Sequence, residues 1–265
     1  MLRVTVLALL ISSFGSPLAA AQRAVDPLIV NSEDPTELQQ LAVQFIPTNQ
    51  LGQALAALHK SVDLYPENAE SRMWLGVVYT QLDDFDAGEA EFRTALQINP
   101  QLTETHNWFG VHWAQRGDLV RAVEHYRAAL DDPAYPRISR ARVLVNLGNV
   151  YVQLGDVEAA IPALSKATRA TVSSNDPLYA LMYVSLADAL IKNGRPQEAL
   201  GSLESLAVLP ASPRGELLRG LAHRDLGSNE VAMDHLRQVL RLAPRSALAE
   251  QALEVMHQLQ SSESR

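Results

Sequence analysis

Apolar and small residues recur along the chain at fixed offsets. In each of six copies, a residue that is usually large and apolar directly precedes Gly or Ala, and an aromatic residue or Leu comes three positions later. The last copy departs from this pattern, with Arg219 and His223 in the places of the larger residues. The small residues are Ala42, Gly76, Gly110, Gly148, Ala187 and Gly220. Their spacings of 34, 34, 38, 39 and 33 residues predict one repeated supersecondary unit.

Each copy has a second half with its own apolar face. Twelve positions after the first small residue comes another, then a large residue four positions on, and an apolar or small residue three positions after that. In the second copy these are Gly88, Phe92 and Ala95. Offsets of four and three place such side chains on one face of an α-helix. Each copy is therefore predicted to be two helices that approach closely at the small residues.

This pattern resembles the tetratricopeptide repeat, a helical hairpin of about 34 residues. The resemblance implies an all-α, right-handed superhelix of six hairpins over residues 35–245. Four glycines are the structural repeat positions at which paired helices should nearly touch: Gly76, Gly110, Gly148 and Gly220. Four others fall in the turns between paired helices: Gly117, Gly155, Gly194 and Gly227.

The end of the array has a pattern of its own. Residues 246–265 predict a capping helix and tail, because a repeat array needs a terminal helix with a polar outer face. The predicted inner stripe of this helix is Leu248, Ala252, Leu253 and Met256. Glu250 and Gln251 should point outward.

The amino terminus has the features of an export signal. Arg3 precedes a short apolar run, and Ala19 and Ala21 fit a small-residue cleavage site. We expect a signal peptide over residues 1–21, a mature chain that begins near Gln22, and a flexible lead over 22–34. The alternative is a membrane anchor that is never cleaved.

Composition excludes several classes of function. The chain has no cysteine, which rules out disulfides, cysteine-ligated zinc, a thiol nucleophile and a lipidated N-terminal cysteine. Its net charge of −8 argues against a general nucleic-acid binder, which needs a basic face. No nucleotide-binding glycine pattern or hydrolase serine motif is present.

Histidines offer little for catalysis or metal binding. His106 and His112 are six residues apart and cannot share a helix face as ligands four residues apart do. We expect His125 and His235 at exposed positions of second helices, and His223 in the core. The sequence thus predicts a protein that is not an enzyme and needs no metal or cofactor.

A binding surface is predicted along the first helices. Places 2, 5, 9 and 12 of each copy should face a concave wall, and this wall combines apolar residues with asparagines. Such a surface suits an amphipathic helix or an extended peptide, because an amide side chain both donates to and accepts from a backbone. The partner-binding candidates on the wall are Met73, Val77, Asn107, Val111, Arg142, Val145, Asn149 and Val184. The alternative is that some of them pack within the hairpins.

An insertion at residues 131–140 supplies two further candidates. It accounts for one of the long repeat spacings and is expected to project beside the wall. Tyr135 is a candidate anchor at the rim, and Arg140 with Arg142 could receive an acidic or phosphate-like group. The alternative is that Tyr135 packs the loop down while the arginines pair with Asp131 and Asp132.

The same region carries a more specific family resemblance. Tyr135-Pro136 and Ser139-Arg140 precede Asn146-Leu147-Gly148. This layout is similar to the type IV pilus biogenesis/stability family, the PilW/PilF pilotins, over roughly residues 36–255. The resemblance implies an outer-membrane lipoprotein that helps the pilus secretin to assemble.

This chain lacks the lipobox cysteine of that family. We therefore expect an exported periplasmic scaffold that reaches the outer membrane through a partner, with an envelope protein such as the secretin as that partner. The alternative is a periplasmic adaptor of another cell-envelope complex.

Overall fold

A computed structural model describes residues 25–263, and the expected signal peptide lies outside them. These residues form fourteen α-helices with no β-strand among them. A 3-10 turn at Ile46–Thr48 follows the second helix. The helices are α1 Pro27–Asn31, α2 Pro35–Phe45, α3 Leu51–Leu64, α4 Ala69–Gln81, α5 Phe85–Ile98, α6 Thr103–Arg116, α7 Leu119–Asp131, α8 Arg137–Gln153, α9 Val157–Ala167, α10 Pro177–Lys192, α11 Pro196–Glu204, α12 Pro213–Asp225, α13 Asn229–Leu242 and α14 Ala247–Glu263.

Six consecutive pairs, from α2/α3 to α12/α13, are the six copies of the sequence pattern, and this confirms the predicted all-α class. The turn inside each pair contains one residue with positive φ. Gly117 and Gly155, with φ of 88° and 80°, hold a conformation that side chains disfavour, which explains glycine there. The six turn residues recur at the repeat spacings: Asn49, Asp83, Gly117, Gly155, Gly194 and Gly227.

Small residues of the first helix lie directly against large residues of the second. A methyl group built on Gly76 would lie 2.8 Å from the ring of Phe92, and one on Gly110 would lie 2.6 Å from Tyr126. Gly220 meets Leu236 in the same way, at 2.9 Å. The structure thus places each of these glycines where only a hydrogen atom fits between the two helices.

The chain divides into two compact units, one ending at Ala129 and the other beginning at Leu130. In the first unit, a short helix replaces part of the flexible lead that we expected over 22–34. Asp26 caps α1, and the fully buried Ile29 packs into the core beside α3. Lys60 of α3 donates to the carbonyl oxygen of Val30 at 2.7 Å. The buried side chain of Ile29 and the N-cap of α1 thus order a segment whose sequence has no hydrophobic periodicity.

In the second unit, α8 is three residues longer than the 14-residue α6, because residues 137–140 of the insertion are helical. The loop therefore covers residues 132–136 and is shorter than the one that we expected over residues 131–140.

The terminal helix α14 packs against α12 and α13 as expected, but its inner stripe differs from the prediction. Ala249, Ala252, Val255 and Leu259 are buried. Leu253 is 53% exposed, because it falls one position outside the i, i+3 spacing of the buried residues. None of the helices within 25–263 is both long and apolar enough to cross a membrane.

Candidate partner-binding groove

The first helices α2, α4 and α6 lie side by side in the first unit. Together they border an open groove of about 640 Å³, which we call the N-terminal groove. Its lining residues are Gln39, Gln40, Val43 and Gln44 of α2, Glu70, Met73 and Trp74 of α4, and Leu102 and Glu104 at the start of α6. The groove therefore spans three repeats and combines amide, acidic and apolar groups.

Hydrogen bonds between neighbours orient the polar groups of the groove. The side-chain amide of Gln39 donates to a carboxylate oxygen of Glu70 at 2.8 Å, which joins α2 to α4. The Asn107 amide donates to Glu104 at 3.0 Å within α6. Both acidic groups are thus held by neutral amide donors that lie on the first helices.

One residue of the groove lining, Trp74, belongs to an aromatic pair. Trp74 lines the groove and lies 5.7 Å from Trp108, centroid to centroid, at an angle of 53°. A partly exposed indole presents a broad apolar face to a peptide. Met73 lies beside it and is almost completely buried, so it forms part of the floor.

The predicted wall residues of the first unit differ in how far they are exposed. Met73 lines the groove, and Val111 is half-buried. Val77 and Asn107 are 3% and 2% exposed and so offer almost no surface to a partner. The cause is close packing of successive first helices, which covers wall positions that a helix viewed alone would expose.

The predicted wall residues of the second unit also differ in exposure. Val145 is fully buried, whereas Asn149 and Val184 are half-buried and Arg142 is exposed. Val145 is therefore corrected from a wall position to a core position. The other three are not among the residues that line the N-terminal groove.

The insertion is held down by its own side chains. Tyr135 is only 7% exposed, so the prediction of a rim anchor is wrong. Arg140 donates to the carbonyl oxygen of Leu130 at 2.7 Å and also to that of Asp132. These bonds satisfy carbonyl groups at the end of α7. The guanidinium of Arg140 therefore holds the loop against the end of α7.

In several copies, a polar contact joins the two helices of the pair at the same two positions, which we call the polar slot. Its two residues are nineteen positions apart, one on each helix of the pair. An ion pair of 3.0 Å between Arg72 and Glu91 fills it in the second copy. In the third copy, Nδ1 of His106 lies 3.1 Å from Nδ1 of His125, so one ring donates to the other. The expectation of an exposed His125 is therefore wrong.

The sixth copy fills the same slot with a charged network. Nδ1 of His235 lies 2.7 Å from the buried carboxylate of Glu216, which also accepts from Arg219 at 2.7 Å. His223 stacks on His235, with ring planes 8° apart. His235 is consequently half-buried and not exposed as expected.

Burial controls the protonation of the histidines in the third copy. Desolvation lowers the pKa of His125 to about 4, with the neighbouring His106 as a further cause. Desolvation also lowers the pKa of His112 to about 4, and that ring hydrogen-bonds Thr80 at 2.8 Å. These rings are neutral at pH 7 and join helices. Over the part of the chain that the structure describes, no group of three or more metal-ligating side chains comes together.

Sequence reasoning missed the contribution of the first copy. Gln39 and Val43 occupy places 5 and 9 of that copy, counted from Pro35, and both line the groove. Extending the wall numbering by one repeat toward the amino terminus identifies them. Trp74 lies next to a predicted wall position and could not be assigned to the groove from spacing alone.

Comparisons with known proteins agree with this architecture. Sequence models of the tetratricopeptide repeat match residues 48–103 and 145–216, and a further one matches 217–246, together more than half of the chain. Comparison with curated proteins gives no match.

Several solved structures share the fold. PilF of Pseudomonas aeruginosa superposes with a TM-score of 0.70 at 23% identity, over 82% of this chain and 95% of its own. PilW, described as a type IV pilus biogenesis factor, gives 0.71 at 21% identity, over 83% and 98%. YrrB, described as having an unusual peptide-binding site, gives 0.60 at 18% identity, over 75% and 98%.

Proposed function

The chain belongs to the tetratricopeptide-repeat family, and we propose that it is a protein-interaction scaffold whose N-terminal groove holds a segment of a partner protein. The observation that carries this proposal is an open groove that crosses three repeats. Its mixture of indole, aliphatic and amide side chains suits a peptide, which offers both apolar side chains and backbone polar groups. The peptide-binding site named for YrrB supports the choice of ligand class.

The partner that we propose is a cell-envelope protein, with the type IV pilus secretin as the first candidate. Three observations support it. Ala19 and Ala21 fit an export signal, the segment Tyr135–Arg140 resembles the pilotin family, and the structural neighbours PilF and PilW share the fold over nearly their whole lengths. Binding rather than catalysis is the role assigned to the groove.

A second candidate is an adaptor of another envelope complex. The observation that favours it is the lack of a cysteine that could accept a lipid, because the pilotin family anchors itself through one. In this case the same groove would hold a segment of a different envelope protein.

Cell fractionation and N-terminal sequencing test the location. We expect a mature chain that starts near Gln22 in the periplasmic fraction. An intact Met1 in the membrane pellet would contradict export with cleavage.

Secretin assembly tests the pilus role. A strain that lacks the gene is complemented with the parent, with Val43→Arg in the groove, or with Val120→Arg on the exposed face of α7. We expect only Val43→Arg to leave the secretin unassembled. Normal assembly without the gene favours the second candidate.

A further inference from the structure

The charged residues that line the N-terminal groove are all acidic. Glu70 and Glu104 occupy the same place in successive repeats, and both line the groove. Among the nine lining residues there is no Lys or Arg. The groove therefore presents two carboxylates at a regular spacing to whatever lies along it.

The arginines of the groove-forming helices are directed elsewhere. Arg72 of α4 pairs with Glu91 of α5 at 3.0 Å. Arg116, at the end of α6, pairs with Asp86 and Glu89 of α5 at 3.1 and 3.2 Å. Because α5 is a second helix, these two arginines pair with carboxylates that lie outside the lining.

The remaining groove chemistry also favours a cation. Trp74 contributes an indole, which is the aromatic ring that attracts Lys and Arg most strongly. Gln40 and Gln44 of α2 are exposed and can pair with a peptide backbone. An extended chain offers these backbone groups, whereas a helix uses them internally.

Resting on the function proposed above, we propose that the N-terminal groove selects an extended basic segment, with two Lys or Arg side chains that reach Glu70 and Glu104. Neighbouring packed helices lie about 8–10 Å apart. An extended chain advances about 3.3 Å per residue, so the two cations are two or three residues apart. The apolar stem of one of them lies against Trp74.

Binding of defined peptides tests the inference. The probes are fluorescein-labelled peptides of about twelve residues, roughly 40 Å when extended, with two lysines spaced by two, three or seven positions. Matched peptides carry acetyl-lysine, which keeps the shape and removes the charge. Fluorescence anisotropy with the full mature chain measures Kd at low and at physiological salt.

We expect the lysine peptides with spacings of two or three to bind, with an affinity that falls as salt rises. The double variant Glu70→Gln/Glu104→Gln should weaken their binding about tenfold or more, because charge-assisted hydrogen bonds are lost. The control Glu124→Gln removes an exposed charge from α7 and should bind like the parent. In Glu70→Lys/Glu104→Lys, preference should shift to peptides with glutamate in place of lysine.

Three outcomes would overturn the inference. These are acetyl-lysine peptides that bind as tightly as lysine peptides, an unchanged Kd in Glu70→Gln/Glu104→Gln, or a preference for the spacing of seven that marks a bound helix. Circular dichroism melting shows whether each variant is folded. A partner that contacts Val43 but binds independently of both glutamates would refute the basic segment and leave the scaffold function standing.

Discussion

A methyl group on Gly148 would lie 2.5 Å from Cγ of Leu164, so α8 and α9 approach each other closely at these two residues. The same relation joins Gly76 to Phe92 and Gly110 to Tyr126, sixteen residues apart each time. A side chain at the first position therefore requires the facing side chain or its helix to move. These contacts therefore determine which residues of the two helices face each other in each repeat.

Substitution of Gly148 by Leu should lower the melting temperature. Overpacking of this kind costs about 1–3 kcal/mol, and an array passes the damage to neighbouring repeats. Gly201→Leu is the control, because Gly201 is exposed in α11 with no atom within 4 Å of its added Cβ. It should stabilise the helix slightly. Equal melting temperatures for the two variants would show that the register is wrong.

Loss of the Arg140 side chain should destabilise the protein. Arg140→Ala removes the donor from the carbonyl oxygens of Leu130 and Asp132, with an expected cost of about 1–3 kcal/mol. The neighbouring Arg142 is exposed, so Arg142→Ala should change stability by less than about 0.5 kcal/mol. Chemical denaturation measures both. A stable Arg140→Ala variant would return Arg140 to the list of binding candidates.

Helix α1 should contribute to the stability of the protein through the side chain of Ile29. Ile29→Ala empties a fully buried position, and such changes cost about 2–5 kcal/mol. Val30→Ala in the same helix is the control, because Val30 is 47% exposed. If both variants melt alike, residues 25–34 behave as the flexible lead that the sequence suggested.

Stability should fall as the pH drops from about 6.5 toward 4. Burial lowers the pKa of His106, and it lowers the pKa of His125 to about 4 in the folded chain, so the unfolded chain takes up these protons first. The stability is therefore present above the unfolded pKa and lost on acidification.

Replacing the pair tests this origin. The fourth copy holds Leu144 and Ala163 in the same slot, so His106→Leu/His125→Ala copies an arrangement that the fold already uses. Thermal melts at neutral and mildly acidic pH should show a smaller loss than in the parent. The control His257→Gln changes an exposed histidine of α14. An undiminished loss in the double variant would place the sensitivity elsewhere.

The repeat architecture could be predicted from the sequence because its signals are local and recur six times. The small Gly148 and the large Leu164 contact each other within one hairpin, so this hairpin can be predicted without information about the neighbouring repeats. The order of α1 could not be predicted, because it depends on contacts with the distant helix α3, among them the burial of Ile29 and the hydrogen bond from Lys60.

The candidate site was only partly predictable for a related reason. Position within a repeat identifies which side of a helix faces the wall, and Met73, predicted on that side, lines the groove. Exposure depends on how closely successive first helices pack, so Val77, Asn107 and Val145 proved to be buried. Hydrogen bonds to backbone carbonyl groups, such as those of Arg140, leave no periodic trace in a sequence.

The measurement that tests the central claim most directly is site-specific photocrosslinking in the producing cell. A crosslinking amino acid replaces Val43 in the N-terminal groove or, in the control, Val120 on the exposed face of α7. Mass spectrometry identifies the crosslinked peptide. We predict that Val43 captures one defined segment of an envelope protein and that Val120 does not. Capture of the same segment at Val120 alone, or of no segment at Val43, would contradict the assignment of the groove as the binding site.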